Sequence, residues 1–259
     1  MAGRTGEPGA SLLGRAVRLL RALPADGSGA TLRELAAGAG LPVSTAHRIA
    51  AELVRLGQLD LAGGRYAAGT ALWELGERAP VVRGLREAAD PELTGLYDST
   101  GENAHVAVLV DSEVLYLSRA SGARAIPTLA RVGVRHPVHA TGVGRAILAA
   151  LPDAAAAPLL RGPLAQITPF TITDPTRLRA EVEATRRRGY ALTRQEMTLG
   201  NASLALPLAP RAGLPPAAIG VVTHLASADE QRLLPLLRRA AEAIEERLDA
   251  AGLPRADEN

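Results

Sequence analysis

The sequence predicts an α+β protein in two parts, on three observations. Apolar residues recur at helical spacing in three short segments before residue 57, and a Gly-Gly hairpin signal follows them. Beyond residue 100, strand-like and helix-like segments mix without the βαβ alternation of a parallel sheet, so the second part is expected to be built on a largely antiparallel one. The chain of 259 residues is long enough for two domains with real cores. Hydrophobic residues make up 47% and charged residues 22%, an ordinary globular balance, but aromatics are only 2%, so Ala, Leu and Val must build the interior. No run approaches the roughly 20 apolar residues of a membrane span. Met1 to Pro8 lacks the apolar stretch of a secretory signal. With no cysteine, disulfides and thiolate metal sites are excluded, and a reducing cytoplasm is the expected home.

Residues 1–10 are Gly-rich and polar and read as a disordered leader. Ser11 caps an amphipathic helix from Leu12 to Leu23, with Leu13, Ala16, Val17 and Leu20 on one face. Pro24 to Gly29 is a loop. Thr31 opens a second helix, with Glu34 three residues on as a capping box, and Gly38 and Gly40 end it. A third helix enters near Pro42, with Leu41 or Ser44 marking its start, and stops at Gly57. Gln58–Leu61 and Arg65–Ala67 flank Gly63-Gly64 as a hairpin. Leu72 to Tyr97 reads as a helical connector interrupted at Pro80 and Pro91. The domain boundaries expected from this are 11–71 for the first domain, 72–90 for a linker helix, 91–253 for the second domain and 254–259 for a loose tail. Within the second domain, Ala104–Val110 and Val114–Ser118 form a hairpin, and Ala125–Val132 reads as a third strand. Gly144–Leu151, Asp153–Leu160 and Pro175–Arg188 read as helices. Strands are expected at Tyr190–Arg194, Ser203–Ala209 and Ile219–Leu225, before a terminal helix over Glu230–Ala251.

Three helices and a hairpin within about 60 residues suggest a winged helix-turn-helix, and spacing sharpens the suggestion. Two helices that cross closely need a small residue at the crossing and a Gly in the turn; Ala36 and Gly40, four apart, fit those places. Leu32, Leu35, Ala46, Ile49 and Leu53 supply the shared apolar face. The third helix opens on Ser44, Thr45, His47 and Arg48, which point away from that face, as residues entering a major groove of double-stranded DNA would. Arg48 is the best base reader, because a guanidinium can bond guanine twice. Arg65, at the hairpin, is placed to meet a phosphate, and Arg33 joins this DNA-binding set. Charge alone decides little. The net charge is +2, all 29 basic residues are Arg, and from Arg15 to Arg65 seven Arg stand against four acids, a balance that a solvated helical surface would also show.

In the second domain, Thr141-Gly-Val-Gly144 opens a helix whose free amides suit an anion such as a carboxylate, although a plain Gly-rich turn reads the same way. At this point LRELAAGAGLPVSTAHRI, RYAAGTALWELG, STGENAHVAVL, VGVRHPVHATGVGRAILAALP, ITPFTITDP, RRRGYALTRQEMTLGNASLALPL and AAIGVVTHLAS, in order along nearly the whole chain, resemble the IclR family of bacterial regulators. The resemblance implies a winged helix-turn-helix, a linker helix and a GAF-like effector-binding domain. It also implies homodimers, or dimers of dimers, on near-palindromic operators. It places the effector pocket at Ala125, Thr128, Gly142, Val143, Thr193, Asn201 and Ser203, with Glu196 as the acid of a following motif or as a partner for Arg145. The chain departs from the family pattern in carrying Arg145 where Lys is frequent, Thr193 and Arg194 where some relatives carry acids, and Ser203 where Cys is common. Uncharged hydrogen-bonders at these places, with the Gly142 amide, suit a small organic acid or a polar aromatic compound.

Four histidines invite a metal reading: His105, His136, His139 and His224. Pro137 breaks the geometry between the middle two, so hydrogen-bonded structural histidines are expected, with neither metal nor cofactor. Arg186 to Arg188 reads as a solvated helix end. An enzyme reading would recruit Ser203, His139 or His105, and Glu196 or Asp174, but no nucleophile elbow, phosphate loop or metal motif is present. A ligand-binding module without DNA binding would leave the polar helix entry and the wing without a role. The expectation is therefore a DNA-binding, effector-controlled regulator and no enzyme.

Overall fold

The computed structural model describes residues 11–253, 255 and 256; the expected leader, and residues 254 and 257–259 of the expected tail, lie outside the described residues. Two compact units divide between Pro80 and Val81.

In the first unit, α1 (Leu12–Arg21) begins where the Ser11 side chain accepts from the Gly14 amide. Helix α2 (Leu32–Ala39) carries the reciprocal capping box: the Thr31 hydroxyl accepts from the Glu34 amide, and the Glu34 carboxylate accepts from the Thr31 amide at 2.7 Å. That amide also holds the Glu34 carboxyl below its usual range. Thr31→Ala is expected to cost about 1 kcal/mol, read as a lower urea midpoint for this unit, with Thr31→Ser close to neutral. Helix α3 (Val43–Arg55) follows, then the hairpin of β1 (Leu59–Ala62) and β2 (Arg65–Ala68), in register from Leu59↔Ala68 to Ala62↔Arg65. Leu19, Leu35, Ala46, Ala50 and Leu59 form the fully buried centre. Helix α4 (Thr70–Glu77) closes the unit.

The second unit is built on a six-stranded antiparallel sheet. Its strands, in chain order, are β3 (Asn103–Val110), β4 (Glu113–Ala120), β5 (Arg135–Pro137), β6 (Ala191–Arg194), β7 (Asn201–Pro207) and β8 (Ala217–His224), and their spatial order is β5-β4-β3-β8-β7-β6. One face packs on α5 (Pro80–Thr100) and the terminal helix α9 (Glu230–Ala250), through Leu85, Leu93, Leu204, Ile219, Leu237 and Ile244. The other packs on α6 (Gly142–Ala150), α7 (Asp153–Arg161) and α8 (Pro175–Arg188), through Ala107, Val143, Ile147, Leu178, Ala205 and Ala218. A sheet covered on both faces explains why β3 and β8 read as nearly continuous apolar runs. Among the described residues, no helix is long and apolar enough to cross a membrane.

Four expectations need correction. Ala125–Val132 is not a strand; the edge strand is Arg135–Pro137. Pro127 has no N–H to give a ladder, and side chains take the segment's carbonyls instead. Asn103 Nδ2 donates to Ile126 O (2.8 Å), Asn201 Nδ2 to Pro127 O (3.2 Å) and His136 Nε2 to Leu129 O (3.0 Å). The connector breaks only at residues 78–79: Pro80 opens α5, where a missing N–H costs nothing, and α5 then runs on through Pro91. Near that proline, the Ala88 carbonyl accepts from Arg247 of α9 at 3.3 Å. The linker expected over 72–90 is therefore parts of two helices. Lastly, Arg186 is no solvated end: it donates to Ala149 O (2.9 Å) and Leu151 O (3.2 Å), capping the C-terminus of α6.

Candidate functional site

In the first unit, α3 buries Ala46, Ile49, Ala50 and Leu53 and exposes Ser44, His47 and Arg48, with Thr45 half-buried. The crossing beneath it depends on buried Ala36 and on Gly40. The latter's φ of 61° lets the Leu41 amide reach Ala36 O at 2.9 Å. The N-cap of α3 is Pro42, rather than Leu41 or Ser44, and no side chain caps it, so its first amides are left to outside partners. Arg55 holds Glu52 (Nε to Oε2, 2.9 Å), offsetting that acid on the exposed face. Arg48 and, on α2, exposed Arg33 form no ion pair or hydrogen bond among the described residues. Arg65 is placed differently from the expectation. It opens β2 opposite Ala62, behind the Gly63-Gly64 tip, and its guanidinium donates to Ser28 O (3.1 Å) and Gly29 O (2.7 Å), bracing that loop.

In the second unit, a small open recess lies on the α6 face of the sheet. Of the expected effector residues, Thr128, Gly142, Thr193, Asn201 and Ser203 line it. Ala125 and Val143 do not: Ala125 precedes the wall segment, and Val143 is fully buried in the core with Ala107 and Ile147. Thr141, in the stretch expected to take an anion, and Glu196 line the recess as well, and sequence reasoning missed Tyr116, Leu129, Ala130, His136, Gln195, Met197, Thr198, Ala202 and Val222 as lining residues. The signal for Tyr116 was strand alternation, since Val114 and Tyr116 pair with Leu109 and Ala107 along one face.

The α6 start and the sheet meet closely. A Cβ on Gly142 would lie 2.5 Å from Ser203 Oγ and 3.1 Å from Ser203 Cβ, so any larger residue there would make the Ser203 side chain turn away. Thr141 caps the helix by accepting from the Gly144 amide at 3.1 Å. Ser203 stands opposite Thr193 on β6 and opposite Val222 on β8. Tyr116, Thr193 and Ser203 are only 4%, 6% and 9% exposed, yet their hydroxyls line the recess and make no hydrogen bond among the described residues. Their hydroxyls keep access to the open recess, where water or a polar guest can meet them.

Behind the rim sits a buried ion pair between Arg145, 1% exposed, and Glu196. Arg145 Nε also donates to His139 O (3.1 Å), and Glu196 accepts from the Ile172 amide (3.3 Å). Burial pushes the Glu196 carboxyl up, while the Arg145 charge and hydrogen bond, then the Ile172 amide, pull it down. The Thr168 and Thr171 hydroxyls donate to Gln195 O (2.6 Å) and Glu196 O (2.7 Å), holding this lining segment with Gln195 at a φ of 60°. His139 bonds Ala165 O through Nε2 (3.0 Å), and burial lowers its pKa. His105 is completely buried, which together with the Arg119 and His136 charges lowers its pKa to about 3 and keeps it neutral. Among the described residues, no three His, Asp or Glu side chains gather as a metal site.

Comparison with known proteins agrees with both halves of this picture. The model of the IclR helix-turn-helix domain matches residues 12–61, and that of the bacterial transcriptional regulator IclR C-terminal domain matches residues 79–246. The HTH-type transcriptional regulator BhcR of Paracoccus denitrificans is 34% identical over 263 residues, covering 98% of this chain and 94% of its own. The transcriptional repressor IclR of Escherichia coli is 32% identical over 198 residues, covering 74% of this chain and 72% of its own. Among solved structures, an IclR homolog from Microbacterium hydrocarbonoxydans, complexed with 4-hydroxybenzoate, superposes with a TM-score of 0.82 at 36% identity, over 93% of this chain and 100% of that one.

Proposed function

The chain belongs to the IclR family of DNA-binding transcriptional regulators with a C-terminal effector-binding domain, and from that premise we propose which residues do the work and what the effector is. The entry of α3, with Ser44, Thr45, His47 and Arg48, reads the operator, and Arg33 contacts the phosphate backbone. Arg65 supports the wing by bracing the 28–29 loop and contacts phosphate only if it leaves that brace. The recess of the second unit takes a small organic acid or polar aromatic compound. The observation that carries this reading is a recess lined by Tyr116, Thr193 and Ser203, whose hydroxyls find no protein partner among the described residues, beside an α6 start whose amides favour an anion. The 4-hydroxybenzoate held by the Microbacterium homolog supports the same chemistry.

The protein acts in the cytoplasm as a homodimer, or dimer of dimers, on a near-palindromic operator, which sets two recognition helices in successive grooves. Effector binding changes operator affinity by favouring one arrangement of the DNA-binding heads, and it can do so only to the extent that it binds that arrangement more tightly. The protein is not an enzyme: Ser203 has no hydrogen-bonded base, His139 is engaged with Ala165 O, and Glu196 is paired with Arg145.

Fluorescence anisotropy with the promoter fragment of the protein's own operon tests this reading. The wild type is expected to bind with sequence preference and to weaken as salt rises. Arg48→Ala is expected to lose about 1–3 kcal/mol and to relax preference at one base position. Equal affinity for the promoter and for unrelated DNA would overturn the regulator assignment of α3, and an Arg48→Ala chain that binds as the wild type does would remove Arg48 from it.

A further inference from the structure

The recess has a mostly polar lining, with hydroxyl-bearing side chains on strands that lie apart in the sheet. Thr193 on β6 and Ser203 on β7, with Gly142 at the α6 start, make one end. Tyr116 on β4 and His136 on β5 make the other, and the sheet order places β3 and β8 between β4 and β7. Three strand spacings separate those two strands, roughly 14 Å along the sheet before side chains reach inward. Val222, on the intervening strand β8, lines the recess too, as do Leu129 and Ala130 of the wall segment.

We propose that Tyr116 is the specificity-determining residue of this recess, and that the effector is a hydroxylated aromatic acid. Its carboxylate lies at the α6 start, and Tyr116 takes the hydroxyl at the far end of the ring. The proposal rests on the effector reading above and deepens it.

The Tyr116 side chain is built to read rather than to fill. It is 96% buried by its 4% exposure, lines the recess, and finds no hydrogen-bond partner for its hydroxyl among the described residues. Burial raises its pKa, so at neutral pH it stays a phenol able both to donate and to accept. Two imidazoles fix the ring: His105 tilted at 5.0 Å between centroids, and His136 edge-on at 5.5 Å. His136 is itself tied to Leu129 O of the wall at 3.0 Å. A hydroxyl held this firmly rewards a ligand group placed to meet it and disfavours a ligand that leaves it unpaired.

Calorimetric titration of the full-length chain with benzoate, 4-hydroxybenzoate and propionate tests the proposal. The wild type is expected to bind 4-hydroxybenzoate about tenfold more tightly than benzoate. Tyr116→Phe is expected to remove that preference, the ratio of the two affinities falling to about one while the melting point stays near that of the wild type. Ser203→Ala is expected to weaken both aromatic acids by a similar factor. Equal affinity of the wild type for the two aromatic acids, or a preference that survives in Tyr116→Phe, overturns the proposal. Propionate binding that depends on Ser203, with no binding of either aromatic acid, overturns it too but leaves the small-acid reading standing. Failure of all three acids sinks both, with the operator titrations still deciding DNA binding separately.

Discussion

Glu196→Ala is expected to destabilise the second unit by about 3–5 kcal/mol, the usual result of removing one partner from a buried ion pair. The Arg145 guanidinium is 1% exposed and cannot shed its proton, so the variant strands a charge that keeps, among the described residues, only the His139 carbonyl as acceptor. The segment around Glu196 also lines the recess, so effector response is expected to fail before the fold does. In a unit of this size the melting point should drop by roughly 2–4 °C for each kcal/mol. Arg145→Ala is expected to be milder, because a stranded carboxyl can take up a proton. The Glu196 pKa is raised by burial even with Arg145 present and rises further without it. A folded-state value above the unfolded one stabilises the fold below the ordinary carboxylate range, and that contribution is lost as pH climbs through the raised value. Arg145→Ala, which keeps the carboxyl, should therefore lose stability as pH climbs through its raised value, whereas Glu196→Ala has no carboxyl there to titrate. Melting curves of both variants followed upward in pH from the ordinary carboxylate range check this. Parallel pH profiles for the two would show that the pair does not carry the unit.

What could be read from the sequence was what neighbours in the chain decide. The Thr31/Glu34 box, the Ser11 cap and the Gly63-Gly64 turn each depend on residues within four positions, and all appear as expected. The polar entry of α3 was legible for the same reason, because one helical period separates buried Ala46 and Ile49 from exposed His47 and Arg48. The far end of the recess was not. Tyr116 and His136 meet only because β5 pairs with β4, and the expected third strand had been laid over 125–132, whose apolar residues look the same whether they cover a ladder or a ligand site. Glu196 was proposed as a partner for Arg145, but nothing local could say that the pair would be sealed from water, since 51 positions separate them. Arg65 failed in the other direction. Beside the turn it looked free, and only the Ala30↔Tyr66 bridge, which brings the 28–29 loop against β2, explains why it is spoken for.

Gly144→Ala is expected to be about as damaging as the loss of Glu196, through shape alone. The added Cβ would lie 2.1 Å from Val138 O, 2.7 Å from its carbonyl carbon and 2.6 Å from Thr141 Oγ1. Two of those three atoms are backbone, and the third is the hydroxyl that caps α6, so no flexible side chain can swing aside. Overpacking of this kind costs about 1–3 kcal/mol and more where the neighbour cannot move, so about 3 kcal/mol is expected here. The only relief is to lift the start of α6, and that start touches Ser203 through Gly142, so weaker acid binding should accompany the lower melting point. Gly95 on α5 supplies the opposite sign. It is exposed, and a Cβ there meets nothing within 4 Å, so Gly95→Ala should leave the melting point unchanged or raise it through helix propensity, by up to about 1 kcal/mol. The pair separates steric closeness at the α6 start from any general effect of replacing glycine. Equal melting points for the two variants would mean that α6 can shift without cost, and the rigid anion end assigned to the recess would lose its physical basis.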